Sequence, residues 1–178
     1  MGQPKQLMEF KGEPLLRRTA KIALEAGLDP VVVILGHQAE AVGASLSGLS
    51  ITTVIHSSWS EGMASSIRVG INAVPQDATA ALVLACDQPT VNETFLMAML
   101  AAHRVELGRI VAAAYAGAIG IPALFPRRCF EALRALTGDR GARALLEGAD
   151  VLSLPLPGGE MDLDTLEDLE EMRRRIGI

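Results

Sequence analysis

The stretch Ala80-Ala-Leu-Val-Leu-Ala-Cys-Asp-Gln-Pro89 points to the fold class of this chain. Residues 80–85 are apolar without interruption, which is typical of a strand buried on both faces at the centre of a parallel sheet. Asp87 follows where the apolar run ends, and Pro89 then turns the chain away from the sheet. Because ligands of open α/β sheets bind at the carboxyl edge of the strands, Asp87 is a candidate functional carboxylate. The alternative is that Asp87 only caps the following turn.

The composition indicates one domain in a reducing cytoplasm and excludes two kinds of partner. Hydrophobic residues make up 49% of the 178 residues but aromatic residues only 3%, so the core must consist of Ala, Leu, Val and Ile. The net charge of −5 provides no basic surface for nucleic acid, and no apolar run is long enough to span a membrane. Cys86 and Cys129 lie in apolar runs without metal-like spacing, which predicts buried thiols.

The whole chain alternates between strand and helix periodicity. Strands are predicted at 31–35, 51–55, 80–86, 110–115, 117–125 and 151–156, and helices at 14–26, 37–46, 63–72, 93–104, 130–136, 142–146 and from 165 onward. Asn92 is predicted to cap the helix at 93–104, and Thr165 and Asp168 resemble a capping box at the start of the last helix. This order predicts an α/β domain with right-handed crossovers and a mainly parallel sheet covered by helices on both faces. One feature departs from the pattern, because only a polar loop, residues 1–13, precedes the first helix.

Two acidic clusters could bind a metal ion. Asp87 follows the central strand, and Asp162-Leu-Asp164 lies where a turn leads into the last helix. Mg²⁺ prefers oxygen ligands and is typically held by one or two carboxylates together with substrate phosphates. Asp164 precedes Thr165, where a helix start favours negative charge, so Asp162 is the preferred second ligand.

Several loop residues are candidates for binding an anionic substrate. Lys5 could neutralise a phosphate oxygen, although a solvated surface lysine is the alternative. The loop 57–66 precedes a helix N-terminus, where backbone N–H groups and hydroxyls can hold an anion or the edge of a base. The small and polar residues of this loop are Ser58, Ser60, Gly62, Ser65 and Ser66. A plain loop with a packed Trp59 is the alternative.

The remaining polar residues indicate no other chemistry. Arg140 and Arg143 could meet an anionic substrate or could be surface arginines. The histidines at 37, 56 and 103 share no spacing, so we expect ordinary surface or loop histidines and no zinc site. The chain contains no G-x-S-x-G elbow, no Walker A sequence and no G-x-G-x-x-G, which removes the commonest hydrolase and nucleotide-binding folds.

Six segments occur in an order that resembles one family. They are Met1-Gly-x-Pro-Lys-Gln-Leu7, Trp59-x-Glu-Gly-Met-x-Ser-Ser66 with Gly70, Cys86-Asp-Gln-Pro89, Tyr115-x-Gly-x-x-Gly-x-Pro-x-x-Phe125, Gly138-Asp-x-Gly-Ala-Arg143 and Asp162-x-Asp-Thr165. Together they resemble the MobA-like nucleotidyltransferases, with the molybdenum cofactor cytidylyltransferases as the most similar branch. The resemblance covers essentially the whole chain. Each segment alone is a weak signal, and six in register are a strong one.

The resemblance implies a Rossmann-like, three-layer αβα nucleotidyltransferase fold over residues 1–178. It also implies Mg²⁺-dependent transfer of CMP from CTP to the terminal phosphate of molybdenum-bearing molybdopterin, with release of pyrophosphate. The implied partner is a molybdoenzyme of the xanthine dehydrogenase type or its chaperone. The alternatives are a guanylyl- or other nucleotidyltransferase with a different phosphorylated acceptor, and a non-catalytic carrier of molybdopterin.

The resemblance also assigns roles to individual residues. Asp87 and Asp162 would hold Mg²⁺, and Lys5 would bind the β- and γ-phosphates, so these three are the candidate catalytic residues. Gly62 and Ser66 would lie beside the base or the ribose of the nucleotide, and Ser65 is a candidate in the same loop. Gly120, in the turn 117–122, and Arg140 would face the acceptor. An in-line displacement at the α-phosphorus needs such positioning and charge neutralisation rather than a covalent nucleophile.

Two departures from the family pattern are visible. In the family, a strand and a Leu-Ala-Ala-Gly-x-Ser-x-Arg loop come directly before Met-Gly-x-Pro-Lys, whereas this chain starts at that Met. The first strand of the family is therefore missing, and we expect an upstream extension of the coding sequence to restore it unless the chain is a truncated relative. Leu166 replaces the usual Pro, which should loosen the start of the last helix slightly.

Overall fold

The computed structural model describes residues 4–139, 141–147, 150–163 and 165–176. The strands are β1 Glu9–Phe10, β2 Glu13–Pro14, β3 Val32–Leu35, β4 Thr52–Ile55, β5 Ala80–Val83, β6 Ile110–Tyr115, β7 Ala118–Pro126 and β8 Val151–Pro155. The α-helices are α1 Leu15–Glu25, α2 Ala39–Ala44, α3 Met63–Ala73, α4 Glu93–Val105, α5 Phe130–Arg134 and α6 Leu166–Ile176. Short 3₁₀ helices cover Lys5–Leu7, Trp59–Glu61, Arg127–Cys129 and Gly141–Leu145. Within the described residues, no helix is long and apolar enough to cross a membrane.

The larger sheet has four strands in the order β5-β7-β6-β8. β7 pairs antiparallel with both β5 and β6, while β6 pairs parallel with β8, so three strands run in one direction and only β7 opposes them. The reversal is made by a tight hairpin at Ala116 and Gly117, whose φ angles are 48° and 74°. Two consecutive positive φ values suit the twist of a two-residue hairpin. The predicted α/β fold is confirmed, with β7 as a hairpin strand inserted between β5 and β6.

Helices cover both faces of this sheet, as the alternation along β6 shows. Ile110 and Ala112 belong to a core cluster with residues of α3 and α5. Val111 and Ala113 point to the opposite face, because successive side chains of a strand alternate, and belong to a cluster with α1 and α4. All four are at most 2% exposed. The sheet is therefore the middle of three layers, and small side chains let the helices approach it closely.

The predicted central strand differs from the observed one. The stretch 80–86 forms a strand only over Ala80–Val83, and all four of its residues are half-buried. β5 is bonded to β7 on one side, and β3 and β4 form a separate parallel pair. Among the described residues, no strand pairs with β5 on its other side, where a cavity of about 950 Å³ is lined by residues 31–35 of the β3 segment and 80–85 of the β5 segment. The prediction of a strand buried on both faces was wrong for this reason.

The ends of the helices follow the predicted caps, with one exception. Asn92 Oδ1 accepts the N–H of Phe95 at 2.9 Å at the start of α4. Thr165 and Asp168 form the reciprocal pair expected of a capping box, with the N–H of Asp168 donating to Thr165 Oγ1 at 3.1 Å. The segment predicted as a helix at 142–146 is instead the 3₁₀ helix Gly141–Leu145. Its five-residue span is too short for a stable α-helix without tertiary support.

A small apolar cluster joins the two ends of the described chain. Met8, Phe10 and Leu15 from the first segment pack with Leu163 and Met172 from the last. Cys86 and Met161 are packed against the same cluster. This packing places residues 4–8 and the segment before α6 beside the end of β5.

Candidate active site

Three chain segments meet where β5 ends. The ammonium of Lys5 lies 2.5 Å from Oδ2 of Asp87. The main-chain N–H of Leu163 donates to the carbonyl of Asp87 at 2.9 Å, which brings the neighbouring Asp162 to the same edge of the sheet. We call Lys5, Asp87 and Asp162 the acidic rim.

The pKa of the Tyr115 phenol is affected by both Asp87 and Asp162. The pKa of Tyr115 is raised above its ordinary value, first by burial and further by the negative charges of Asp162 and Asp87. The hydrogen bond with Gln88 and the positive charge of Arg143 act in the opposite direction. Tyr115 is half-buried, and both carboxylates lie near enough to its phenol to raise its pKa.

The acidic rim fits a hard divalent cation. Among the residues that the structure describes, no three His, Cys, Asp or Glu side chains form a metal-binding group. Two carboxylates at one edge are nonetheless the protein ligands that Mg²⁺ or Mn²⁺ typically uses when substrate phosphates and water complete its shell. Asp87 and Asp162 provide that donor set.

Cys86 is not suited to act as a nucleophile. Its pKa is raised to about 11, first by burial and then by the adjacent charge of Asp87, while Lys5 acts in the opposite direction. The thiol therefore stays protonated at neutral pH, and the thiolate is the reactive form. The chemistry of this edge depends on charge and positioning.

A second wall of the cavity comes from the β4–α3 connection. The hydroxyl of Ser65 donates to the carbonyl of Gly62 at 2.7 Å, and Nε2 of His56 lies 2.7 Å from the same hydroxyl oxygen. Because the hydrogen of Ser65 is directed at Gly62, Nε2 of His56 must be the donor in the second bond. His56 and Ser65 are buried, while Gly62 and Ser66 line the cavity. We call these four residues the serine wall.

Gly62 occupies a position that other residues fit poorly. Its φ angle is +99°, which L-residues rarely adopt, and a Cβ atom there would collide with the carboxylate of Asp139. The carbonyl of Gly138 also accepts the N–H of Ala64 at 3.3 Å, so the 138–139 loop is docked against the start of α3. The shape of the serine wall is thus fixed from both sides.

Trp59 packs as the plain-loop alternative anticipated, although it also faces the cavity. Its side chain lies against Gly36, where an added Cβ would come within 2.7 Å of the Cβ of Trp59. Its ring centroid is 5.2 Å from that of His37, and Trp59 remains 44% exposed. Trp59 closes the end of the cavity beside the serine wall.

The sequence and the fold of this chain match known proteins. A family model described as the MobA-like NTP transferase domain matches residues 1–154. The chain belongs to the MobA-like NTP transferase family. It is therefore a member of a nucleotidyltransferase family, as the six sequence segments indicated.

Individual relatives match this MobA-like domain over most of their length. Nicotine blue oxidoreductase of Paenarthrobacter nicotinovorans is 30% identical, with 93% of this chain and 86% of that protein covered. The purine catabolism protein PucB of Bacillus subtilis (strain 168) is 29% identical, with coverages of 98% and 90%. A crystal structure of Rv0371C from Mycobacterium tuberculosis in complex with manganese has a TM-score of 0.79 and 28% identity, covering 95% of this chain and 90% of that one. The fold of this chain is therefore similar to that of Rv0371C.

The structure places the predicted site residues of the MobA-like domain in three groups. Lys5 pairs with Asp87, and the main chain of Leu163, next to Asp162, is bonded to Asp87, while the catalytic and metal-binding roles of the three residues stay predictions. Gly62 and Ser66 line the cavity, whereas Ser65 is 1% exposed and does not. The hydroxyl of Ser65 is used inside the serine wall, which is a different role from contact with a ligand.

The acceptor side of the MobA-like domain is described only in part. Gly120 and Arg143 line the cavity, and a Cβ at Gly120 would collide with the hydroxyl of Tyr115. Arg140 lies outside the described residues, so its predicted contact with the acceptor stays a prediction.

Sequence reasoning missed two residues of this site. His56 was expected to be an ordinary surface or loop histidine, but it is 8% exposed and bonded to Ser65. The missed signal was its place directly after β4, where the strand still pairs through the N–H of His56 and the carbonyl of Leu35 at 2.8 Å. Gln88 was quoted only as part of a motif, and it is 4% exposed with three hydrogen-bond partners.

Proposed function

We propose that this chain is a divalent-metal-dependent nucleotidyltransferase that transfers CMP from CTP to the terminal phosphate of molybdenum-bearing molybdopterin. The observation that carries the proposal is the acidic rim, where Lys5, Asp87 and Asp162 meet opposite the serine wall. Lys5 and Asp87 of the rim and Gly62 and Ser66 of the wall line one cavity of about 950 Å³, which has room for a nucleotide. The family assignment supports the reaction class, and the six sequence segments support the molybdenum cofactor branch.

The residues of the acidic rim have separate tasks in this reaction. Asp87 and Asp162 hold the divalent cation, which when bound neutralises charge on the triphosphate. The manganese complex of Rv0371C supports a divalent cation in this family. Lys5, which pairs with Asp87 in this structure, provides the positive charge for the β- and γ-phosphates.

The chemical step needs no covalent intermediate on the protein. An oxygen of the acceptor's terminal phosphate attacks the α-phosphorus of CTP, a new P–O bond forms, and the bond to the bridging β-phosphate oxygen breaks. Pyrophosphate leaves with both electrons of that bond. Lys5 stabilises the negative charge that accumulates on pyrophosphate, and the protein contributes mainly orientation.

The serine wall binds the nucleoside end of the donor. Gly62 and Ser66 line the cavity and provide a main-chain segment and a hydroxyl for the base or the ribose. Ser65 and His56 hold the Gly62 carbonyl in place from behind. The sequence resemblance assigns the phosphorylated acceptor to the turn 117–122 and Arg140, and Arg143, which lines the cavity together with Gly120 of that turn, supplies a further positive charge for it.

The direct test is a pyrophosphate-release assay with CTP, GTP or ATP, molybdopterin carrying molybdenum, and Mg²⁺ or Mn²⁺. We expect pyrophosphate and a cytidine dinucleotide product only when CTP, acceptor and metal ion are all present. Binding of each nucleotide by titration calorimetry measures base preference independently of turnover. Product formation from GTP instead would redirect the proposal to a guanylyltransferase.

A matched pair of variants serves as the control. Asp87→Asn removes the rim carboxylate, while Asp77→Asn removes an exposed carboxylate at the opposite end of the same strand. We expect turnover to be lost in the first variant and retained in the second. Tight binding of molybdopterin without pyrophosphate release from any nucleotide would identify a carrier and overturn the catalytic proposal.

A further inference from the structure

Gln88 connects three segments of the chain at the end of β5. Its Nε2 group lies 3.0 Å from the carbonyl of Ile121, 3.2 Å from the carbonyl of Gly159 and 3.3 Å from the hydroxyl of Tyr115. These acceptors belong to β7, to the connection after β8 and to the end of β6. Because Gln88 is only 4% exposed, its Nε2 group depends on these partners rather than on water, while its Oε1 atom is buried without a hydrogen-bond partner among the described residues.

The segment that carries Asp162 is attached to two adjacent residues of the β5 end. The carbonyl of Gly159 accepts from the side chain of Gln88, and the N–H of Leu163 donates to the main chain of Asp87 at 2.9 Å. Asp162 lies between these two attachment points. The segment 159–163 is therefore fixed at both ends relative to Asp87, the residue whose carboxylate Asp162 must approach.

Tyr115 makes the same junction rigid by filling space. A Cβ at Gly120 would come within 2.3 Å of the Tyr115 hydroxyl, and a Cβ at Gly159 within 2.7 Å of its ring. The hydroxyl of Tyr115 also donates to the carbonyl of Ile121 at 3.1 Å, so Tyr115 and Gln88 share that acceptor. Gln88 and Tyr115 thus form one hydrogen-bonded junction.

We infer that Gln88 is a positioning residue that holds Asp162 opposite Asp87, because its amide ties the Gly159 end of the segment 159–163 to the end of β5. The inference deepens the proposed function and rests on it only in assuming that the two carboxylates share a cation. Gln88 itself does not contact the cation. Residues that orient metal ligands typically change metal affinity by about 10- to 100-fold when they are replaced.

The test uses Gln88→Met, which keeps the length and approximate volume of the side chain but removes both N–H donors. We expect Mn²⁺ affinity, measured by paramagnetic resonance titration, to fall about tenfold. In turnover assays the KM for the metal ion should rise, while kcat at saturating metal ion changes much less. Gln76→Met is the matched control, since Gln76 is exposed in the turn before β5 and should leave Mn²⁺ affinity unchanged.

A double-mutant cycle separates positioning from general loss of stability. Once Asp162→Asn has removed the carboxylate, the positioning of that residue no longer matters, so Gln88→Met should have no further effect on Mn²⁺ affinity. If the two substitutions multiply their effects, or if Gln88→Met binds Mn²⁺ as tightly as the unmodified protein, the inference is wrong. Thermal unfolding of each variant checks that the fold is retained.

Amide hydrogen exchange provides a measurement that does not depend on the proposed function. Gln88→Met should increase exchange at residues 159–163 while leaving the core of β6 protected. If the unmodified protein binds no Mn²⁺ but this local increase is observed, the metal site fails and the tie between Gln88 and the segment stands. If exchange at 159–163 is unchanged, the tie itself is absent and the inference is overturned.

Discussion

The acidic rim and the serine wall both contribute residues to one cavity, Lys5 and Asp87 from the rim and Gly62 and Ser66 from the wall, but they are built in different ways. The rim is assembled from three segments that are far apart in the sequence, and it consists of charged side chains, as the pair of Lys5 and Asp87 shows. The serine wall comes from one continuous connection and contains two hydrogen bonds that share the hydroxyl of Ser65. We therefore expect binding and catalysis at the acidic rim to depend on charge, and nucleotide binding at the serine wall to depend on backbone shape.

The strongest test of this contrast is loss of charge in the rim. Asp87→Asn keeps the shape of the side chain but removes the negative charge that pairs with Lys5 and would hold the cation. We expect kcat/KM for CTP to fall by about 10²- to 10³-fold, the range seen when one electrostatic contact to a reacting group is removed. Steady-state kinetics at several metal concentrations measures it. Undiminished activity would exclude Asp87 from the reaction.

The second test changes backbone shape in the serine wall. Gly62→Ala adds a methyl group at a positive φ and against the carboxylate of Asp139, so we expect nucleotide affinity to fall about tenfold, with a loss of at least about 1 kcal/mol of stability. Calorimetric binding and thermal unfolding measure the two effects. Gly48→Ala has a similar positive φ, +80°, with nothing within 4 Å.

That control isolates the contact from the backbone strain. Gly48→Ala should lose stability without losing nucleotide affinity. Asp139→Ala, combined with Gly62→Ala, should recover part of the affinity because it removes the group that the new methyl meets. If both glycine variants bind nucleotide equally well, the shape of the wall at Gly62 does not control binding.

The third test concerns the buried support of the same wall. His56→Phe removes the Nε2–H donor to Ser65 and should weaken the binding free energy of CTP by about 1 kcal/mol. This corresponds to about a fivefold rise in the KM for CTP. The KM for the metal ion should not change, because the rim is untouched. Ser65→Ala should have a similar effect, and the double variant should be no worse than the single ones. Independent, additive effects would show that the two residues do not act through one hydrogen bond.

The smallest effect is a shift in the titration of the one tyrosine in the chain. The pKa of Tyr115 lies above its ordinary value, so the phenol stays protonated to a higher pH. In metal-free buffer, Asp162→Asn removes one negative charge that favours the protonated phenol, so the pKa should fall. It should remain above the ordinary value because burial is the largest cause. Tyrosinate absorbance measures this, and an unchanged pKa would place Asp162 away from Tyr115.

Local sequence signals predicted most of the elements and the carboxylate that ends β5. Apolar runs fixed the positions of the strands, and Asn92 and Thr165 marked the starts of α4 and α6 as capping chemistry requires. Periodicity carries no information on pairing order, so the insertion of β7 between β5 and β6 was not predicted. It depends on a hairpin at Ala116 and Gly117.

The supporting residues of the site could not be found from local patterns. Gln88 bonds to residues 27, 33 and 71 positions away, and nothing near Gln88 in the sequence identifies them. His56 and Ser65 are only nine positions apart, but their bond depends on the strand end turning inward. Charged candidates were easier to identify, because few chemical roles suit a carboxylate at the end of an apolar strand.

The separation of β3 from β5 affects how the β3-β4 pair and the four-stranded sheet hold together. The described strand pairings lie within each sheet and do not join these two sheets. Helix α1 connects the two sheets through its side chains, since Ala20 and Ala23 pack in the cluster of β3 and Ile22 packs in a cluster of the four-stranded sheet. Apolar packing is less directional than a ladder of N–H···O bonds. The distance between β3 and β5 is therefore set by side-chain packing and not by main-chain hydrogen bonds. We expect the amide groups on the edge of β5 that pairs with no described strand to exchange with deuterated solvent well before those of β6, which is paired on both sides.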